Sequence, residues 1–208
     1  MYDPELEAIF DDFNSNFIRD KEFLISFYER NEAKLSSVIW LDHDSLLKYE
    51  SISGWYLWAL VHKKKYNHVI NEAPAILSKI ETNQNNLNID PATDKYYHFI
   101  IKQRAFAKYF RLMLYSAKKD FLTLNKYDSE DKSYARWARV SEYYSLALIL
   151  YAVSALIVFG DGFYKSRVPV PVNILLLIIG LICCIVAWLI DINARRFWKN
   201  SQGELKVI

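Results

Sequence analysis

The sequence predicts an all-α protein, a helical cytoplasmic domain followed by a C-terminal two-helix transmembrane hairpin, and three observations carry that prediction. Two charge-free runs, Tyr143–Gly160 of 18 residues and Val168–Ile190 of 23, lie near the end of the chain. As helices they extend about 27 and 34 Å, close to the ~30 Å hydrocarbon thickness of a bilayer. Upstream of them the apolar residues recur at helical spacing, with few glycines and little β-branched alternation. Between the runs, "GDGFYKSRVPVPV" (Gly160–Val172) supplies glycines, charges and prolines, as expected where a chain that has crossed lipid satisfies its polar backbone before returning.

Averages conceal this layout. Over 208 residues, 26 Lys and Arg stand against 24 Asp and Glu, and a mean hydropathy of −0.03 describes an ordinary soluble protein. Residues 1–30 are acidic and amphipathic, so no secretory signal is expected there. Asp3 and Pro4 form a cap and first-turn pair, and Leu6, Phe10, Phe13, Phe17, Leu24 and Phe27 make one stripe. The first segment therefore reads as an amphipathic helix, broken near Asn14–Asn16.

Two shorter helices are expected around Asp44–Lys65, with Asp44 as cap, and Tyr66–Thr82, with Gly54 and Pro74 as weak points. Thr82–Asp94 reads as a polar loop that ends in a helix start at Asp90–Pro91. A single long helix is then expected, because Phe99, Phe106, Phe110, Met113, Ala117, Phe121 and Leu124 line one face while Arg104, Lys108, Arg111 and Lys118 line another. A second long helix begins near Ser129 and runs without a linker into the first span. Gly160 and Gly162 are expected to end that span, and Pro169 and Pro171 to open the next.

The domains are thus residues 1–142, the hairpin 143–190 with its outside turn near 160–170, and a short tail 191–208. Orientation follows from Lys and Arg near the span ends. Six precede the first span (Lys118, Lys119, Lys126, Lys132, Arg136, Arg139) and three follow the second (Arg195, Arg196, Lys199), against Lys165 and Arg167 in the turn. Both termini are expected in the cytoplasm, with the hairpin in a bacterial inner membrane.

Charge is also divided within the first domain. Residues 1–50 carry 12 acidic and 5 basic side chains, while residues 95–139 carry 11 basic and 4 acidic. Three readings stay open: compensation between the acidic N-terminal helix and the basic one, attraction of near-membrane cations to anionic headgroups, or a site for a phosphate-bearing ligand. The third would use Lys102, Arg104, Lys108, Arg111 and Lys118, with Tyr97 and Tyr115 among the tyrosines available for stacking.

No phosphate-cradling glycine motif occurs, no nucleophile stands beside a base, and the four histidines show no ligand spacing. No enzyme, cofactor or metal site is expected. Cys183 and Cys184, adjacent in the second span, read as buried small hydrophobes. The spans lack ionisable groups, which argues against a proton relay or secondary transporter. Their small or polar residues, Ala147, Ser154, Asn173, Gly180, Cys184 and Ala187, fit close helix packing within the hairpin or between subunits. Two spans enclose no water path alone, so conduction needs a homo-oligomer, with Ser154 and Asn173 as its weakly polar lining.

A helical cytoplasmic domain feeding a two-span hairpin, without an enzyme motif, resembles the membrane effectors of bacterial anti-phage defence, including SLATT-type effectors and the membrane subunit of Hailong-type systems. The likeness is one of architecture, and the spans here are C-terminal, unlike the SLATT pattern. It implies an oligomeric membrane pore controlled by a nucleotide or oligonucleotide. The alternative is a membrane-anchored interaction module that recruits a regulatory protein partner.

Overall fold

The computed structural model describes the backbone of residues 4–15, 20–37, 41–164 and 170–205, and the side chains of these residues apart from 158–171 and 193–205. Among the described residues there are eight α-helices and no strand. They are α1 (Pro4–Ser15), α2 (Lys21–Ser37), α3 (His43–His62), α4 (Tyr66–Leu87), α5 (Lys95–Phe110), α6 (Leu114–Tyr127), α7 (Lys132–Tyr164) and α8 (Val170–Leu205), with a 3-10 turn at Pro91–Thr93. The chain divides into two compact units, Met1–Ala135 and Arg136–Ile208.

The first unit is built around α3 and α5. Helix α3 packs against α2, α4 and α5, and α5 packs in turn against α4 and α6. Burial follows the apolar stripes, with Leu6, Phe10, Phe13, Leu24 and Phe27 enclosed on α1 and α2. The Phe13 and Phe27 rings lie 5.3 Å apart, and Tyr28 stacks on Tyr56 at 4.0 Å. Helix α1 ends at Ser15, within the break expected at Asn14–Asn16, and α2 begins at Lys21; Asn16 and Phe17 fall outside the described residues.

Gly54 and Pro74 do not interrupt their helices. Gly54 instead admits α5, since a Cβ there would lie 2.8 Å from Phe99 Cδ1. Asp42, not Asp44, caps α3: its carboxylate accepts from Ser45 N at 2.9 Å, a bond that holds its pKa below the ordinary range. Asp44 sits in the first turn and pairs with Lys48 at 2.8 Å. Helix α4 runs on to Leu87 through residues expected to form a loop. The polar side chains there point inward: Asn83 Oδ1 accepts from Leu41 N at 2.8 Å, and Gln84 Nε2 donates to Asp94 Oδ2 at 2.7 Å.

The expected single helix over residues 95–124 is two. Leu112 adopts φ 59°, its N–H bonds to Tyr109 O at 3.0 Å, and Met113 N–H reaches back to Lys108 O at 2.9 Å. This pairing closes a helix C-terminus in which one left-handed residue ends the ladder. Lys64 (φ 59°) ends α3 and Asn88 (φ 55°) ends α4 in the same way. Glycine or asparagine normally marks such a residue; Leu112 and Lys64 do not, so the break had no sequence signal.

In the second unit, α7 and α8 each contain a segment long and apolar enough to cross a membrane, Lys132–Ile157 and Val172–Ile192. Helix α7 starts three residues later than Ser129 and does not stop at Gly160 or Gly162 but continues to Tyr164. A glycine costs a helix only about 1 kcal/mol, which does not by itself end the ladder. Pro171 lies in the first turn of α8. Residues 165–169, with Lys165, Arg167 and Pro169, are outside the described residues.

Candidate functional site

Helices α5 and α6 form a tight hairpin in which most of the proposed ligand residues fall. Lone among cations, Asp120 is the only acidic residue between Lys95 and Tyr127, and it sits on the apolar face of α6 beside Ala117, Phe121 and Leu124. It faces α5, where Arg104 Nη2 donates to Oδ1 at 2.8 Å, Arg104 Nε to Oδ2 at 3.0 Å and Lys108 Nζ to Oδ2 at 2.8 Å. Phe106 meets Phe121 edge-on at 5.4 Å just beneath this cluster. A forked guanidinium clamped on a carboxylate that is 8% exposed is a strong, directional pair.

The cationic stripe is therefore partly neutralised from within. One of the three readings had the acidic N-terminal helix compensate these cations; the carboxylate that Arg104 and Lys108 bond comes from α6 instead. The N-terminal carboxylates have other partners: Glu5 pairs with Lys34 at 3.0 Å, Glu7 with Lys48 at 2.6 Å, and Glu22 with Lys63.

The remaining stripe residues are dispersed. Tyr97 is buried and donates its hydroxyl to Glu81 Oε1 at 2.7 Å, and burial raises its pKa. Its ring is not open for stacking. Lys102 Nζ lies 5.9 Å from the Tyr134 ring centre, and Lys118 is half-buried on α6. Arg111 and Tyr115 are exposed at the α5–α6 corner, Tyr115 at 70% and beneath Lys119 Nζ at 4.8 Å. A shallow cavity of about 160 Å3 opens between Phe10, Phe13, Leu47, Lys48, Ile52 and Tyr96. It is smaller than the several hundred Å3 of a typical small-molecule pocket.

A second polar cluster escaped the sequence reading. Glu50 on α3 is fully buried, with Ser53 and Gln84 also enclosed. Both Glu50 carboxyl oxygens, Ser53 Oγ and Gln84 Oε1 make no hydrogen bond of good geometry among the described residues, although Asp94 and Gln84 lie close to the Glu50 carboxyl. Desolvation, reinforced by the nearby Asp94 carboxylate, pushes the Glu50 pKa up to about 9. Asp94 itself caps α5, accepting from Tyr96 N at 2.9 Å and Tyr97 N at 3.0 Å. The signal was present, since Leu46, Glu50, Ser53 and Leu57 share one helical face.

In the hairpin, Ser154 Oγ donates to Gly180 O at 2.8 Å, and a Cβ on Gly180 would lie 3.3 Å from Ile157 Cγ2. Ala147 and Ala187, seven residues away on each helix, are both buried, so the antiparallel register puts them level with each other. These four residues knit α7 to α8 within one chain. Ser154 is engaged in this contact within the chain. Asn173 is half-buried, Cys183 is half-buried and Cys184 exposed, contrary to the expectation that both cysteines are buried. Leu175, Leu181, Ile182, Trp188 and Leu189 are exposed on α8 together with Cys184.

In comparisons with known proteins, no family model, no curated protein and no solved structure matches the chain.

Proposed function

We propose that this protein is a homo-oligomeric effector of the bacterial inner membrane, with both termini cytoplasmic, in which the helical unit governs a two-span hairpin that perturbs the bilayer. The observation that carries this reading is the continuity of α7, a single helix that starts at Lys132 and runs unbroken into the apolar run as far as Tyr164. A displacement of its first turns is then carried along a rigid element rather than lost in a linker. Architectural likeness to anti-phage membrane effectors supports a role in defence, with a nucleotide or oligonucleotide as regulator.

Such an anion at Arg104 and Lys108 competes with Asp120, to which both cations are bonded. That exchange couples ligand to structure: it releases α6 from α5, giving the ligand unequal affinity for two states. The test is the membrane potential of phage-infected bacteria carrying the intact chain, or the chain with residues 143–192 replaced by an unrelated hairpin. Depolarisation with the intact chain alone is expected.

A second reading, a membrane-anchored module that recruits a protein partner, is favoured by the same Asp120 clamp, which leaves the stripe with few uncommitted groups. Full function after the hairpin exchange, without depolarisation in either case, decides for it.

A further inference from the structure

We infer that one end of the first unit is a docking surface for anionic lipid headgroups, formed by the turn between α3 and α4 together with the corner between α5 and α6. The two turns belong to one end because Tyr66, which opens α4, stacks on Phe110, which closes α5, at 4.9 Å.

What they present there is unusual for a solvent-facing loop. Leu112 is 61% exposed, Met113 44% and Tyr115 70%, three bulky side chains within four positions. Around them Lys64, Lys65, Arg111 and Lys119 are exposed as well. No acidic residue occurs from Val61 to Asn71 or from Lys95 to Lys119. Glu22 reaches this end only to pair with Lys63.

Backbone strain gives an independent pointer. Leu112 and Lys64 both hold left-handed conformations, each with φ 59°, which side chains other than Gly, Asn and Asp adopt at a cost. At the other such turn the chain uses Asn88, a residue that tolerates the conformation. Strain retained where glycine would fit is a mark of a functional constraint rather than of folding. Here the constraint is an apolar and a cationic side chain held outward on rigid turns.

The chemistry selects lipid over other occupants. Exposed Leu and Met suit the acyl boundary, Tyr suits the headgroup level, and Lys and Arg suit an anionic surface. A nucleic-acid surface would need the cations and the aromatic ring but would leave Leu112 and Met113 in water. The same chain carries two helices long and apolar enough to cross a bilayer, so lipid is an occupant that its own sequence brings with it. The inference holds whether the hairpin is a pore or an anchor.

The experiment uses the full chain with Cys183→Ala and Cys184→Ala, labelled with an environment-sensitive fluorophore at Met113→Cys, and reconstituted into nanodiscs. A label at Asn86→Cys, exposed at the far end of α4, is the control. In discs containing phosphatidylserine, the Met113→Cys label is expected to shift to the blue and to be quenched by headgroup nitroxides. Both effects should fall in high salt and in a Lys64→Glu, Lys65→Glu, Arg111→Glu, Lys119→Glu variant, while the control label stays unchanged. A shift of equal size in phosphatidylcholine discs, or no shift in either, overturns the proposal. So does a response to short oligonucleotides in detergent without one to lipid, which would give the corner to nucleic acid.

Discussion

Asp120 holds two cations that face it from the neighbouring helix, and the three charges are at most 22% exposed. Removing the acceptor leaves Arg104 and Lys108 confined with each other. Asp120→Asn is expected to cost about 3 kcal/mol, as is usual for breaking one side of a buried pair. Unfolding of the purified full chain in detergent measures this, and a loss below ~1 kcal/mol would show the clamp to be a surface pair of little consequence. If the stripe is an anion site, the same variant gains affinity for short oligonucleotides, since their competitor is gone. Glu50 makes a different prediction. Its folded-state pKa of about 9 lies above the ordinary 4.5, so the native chain holds a proton that the unfolded chain gives up between these values. Stability contributed by this group is present at low pH and falls as pH rises through that window. Lys79, lowered by burial to about 8, works in the opposite sense but only above that pH. Between pH 5.5 and 7.5, therefore, stability should decline in the wild type, and Glu50→Gln should flatten the profile and raise stability at its alkaline end. A steeper decline in the variant would contradict the assignment.

Elements show where the sequence was readable. The two long apolar helices were legible from the length of their charge-free runs, and the stripes of α1, α2 and α5 from the period that burial in a core enforces. The division of α5 from α6 was not, because its left-handed residue is Leu112, which carries no turn signal. Leu112→Gly is accordingly expected to stabilise the first unit by about 1 kcal/mol, while weakening any attachment made by the corner. Thr82–Leu87 misled for the converse reason: its asparagines and glutamine look solvated, yet Asn83 and Gln84 are buried and bonded across elements. Of the site residues, the Asp120 partnership and the Glu50 cluster were discoverable, each from a carboxylate on an apolar helix face. In the hairpin, Gly180→Leu should force α7 and α8 apart, since even a Cβ meets Ile157 at 3.3 Å. Disulfide formation between Ala147→Cys and Ala187→Cys in a cysteine-free background would report this as a loss of intramolecular crosslinking; unchanged crosslinking would mean that the pair does not depend on the Ser154–Gly180 contact.

At the scale of the whole molecule, near-zero net charge and average hydropathy describe neither unit. The first unit keeps its charges in local pairs, such as Glu7 with Lys48 and Asp120 with Arg104, and leaves an excess of cations at the turns of Lys64 and Leu112, where Glu22 pairs with Lys63. The second exposes a nearly continuous apolar surface on α8, from Ile174 to Leu189, of a kind that water does not tolerate. Everything proposed for the function requires that this surface lie in a bilayer and that the chain return to the side from which it entered. Placing single cysteines at Ser166 and at Asn86, in a chain with Cys183→Ala and Cys184→Ala, tests both requirements at once with a membrane-impermeant maleimide on intact cells. The account predicts labelling of Ser166→Cys from outside and of Asn86→Cys only after permeabilisation, in a chain that alkaline carbonate does not extract. Equal labelling of both positions before permeabilisation, or release of the chain by carbonate, would contradict it.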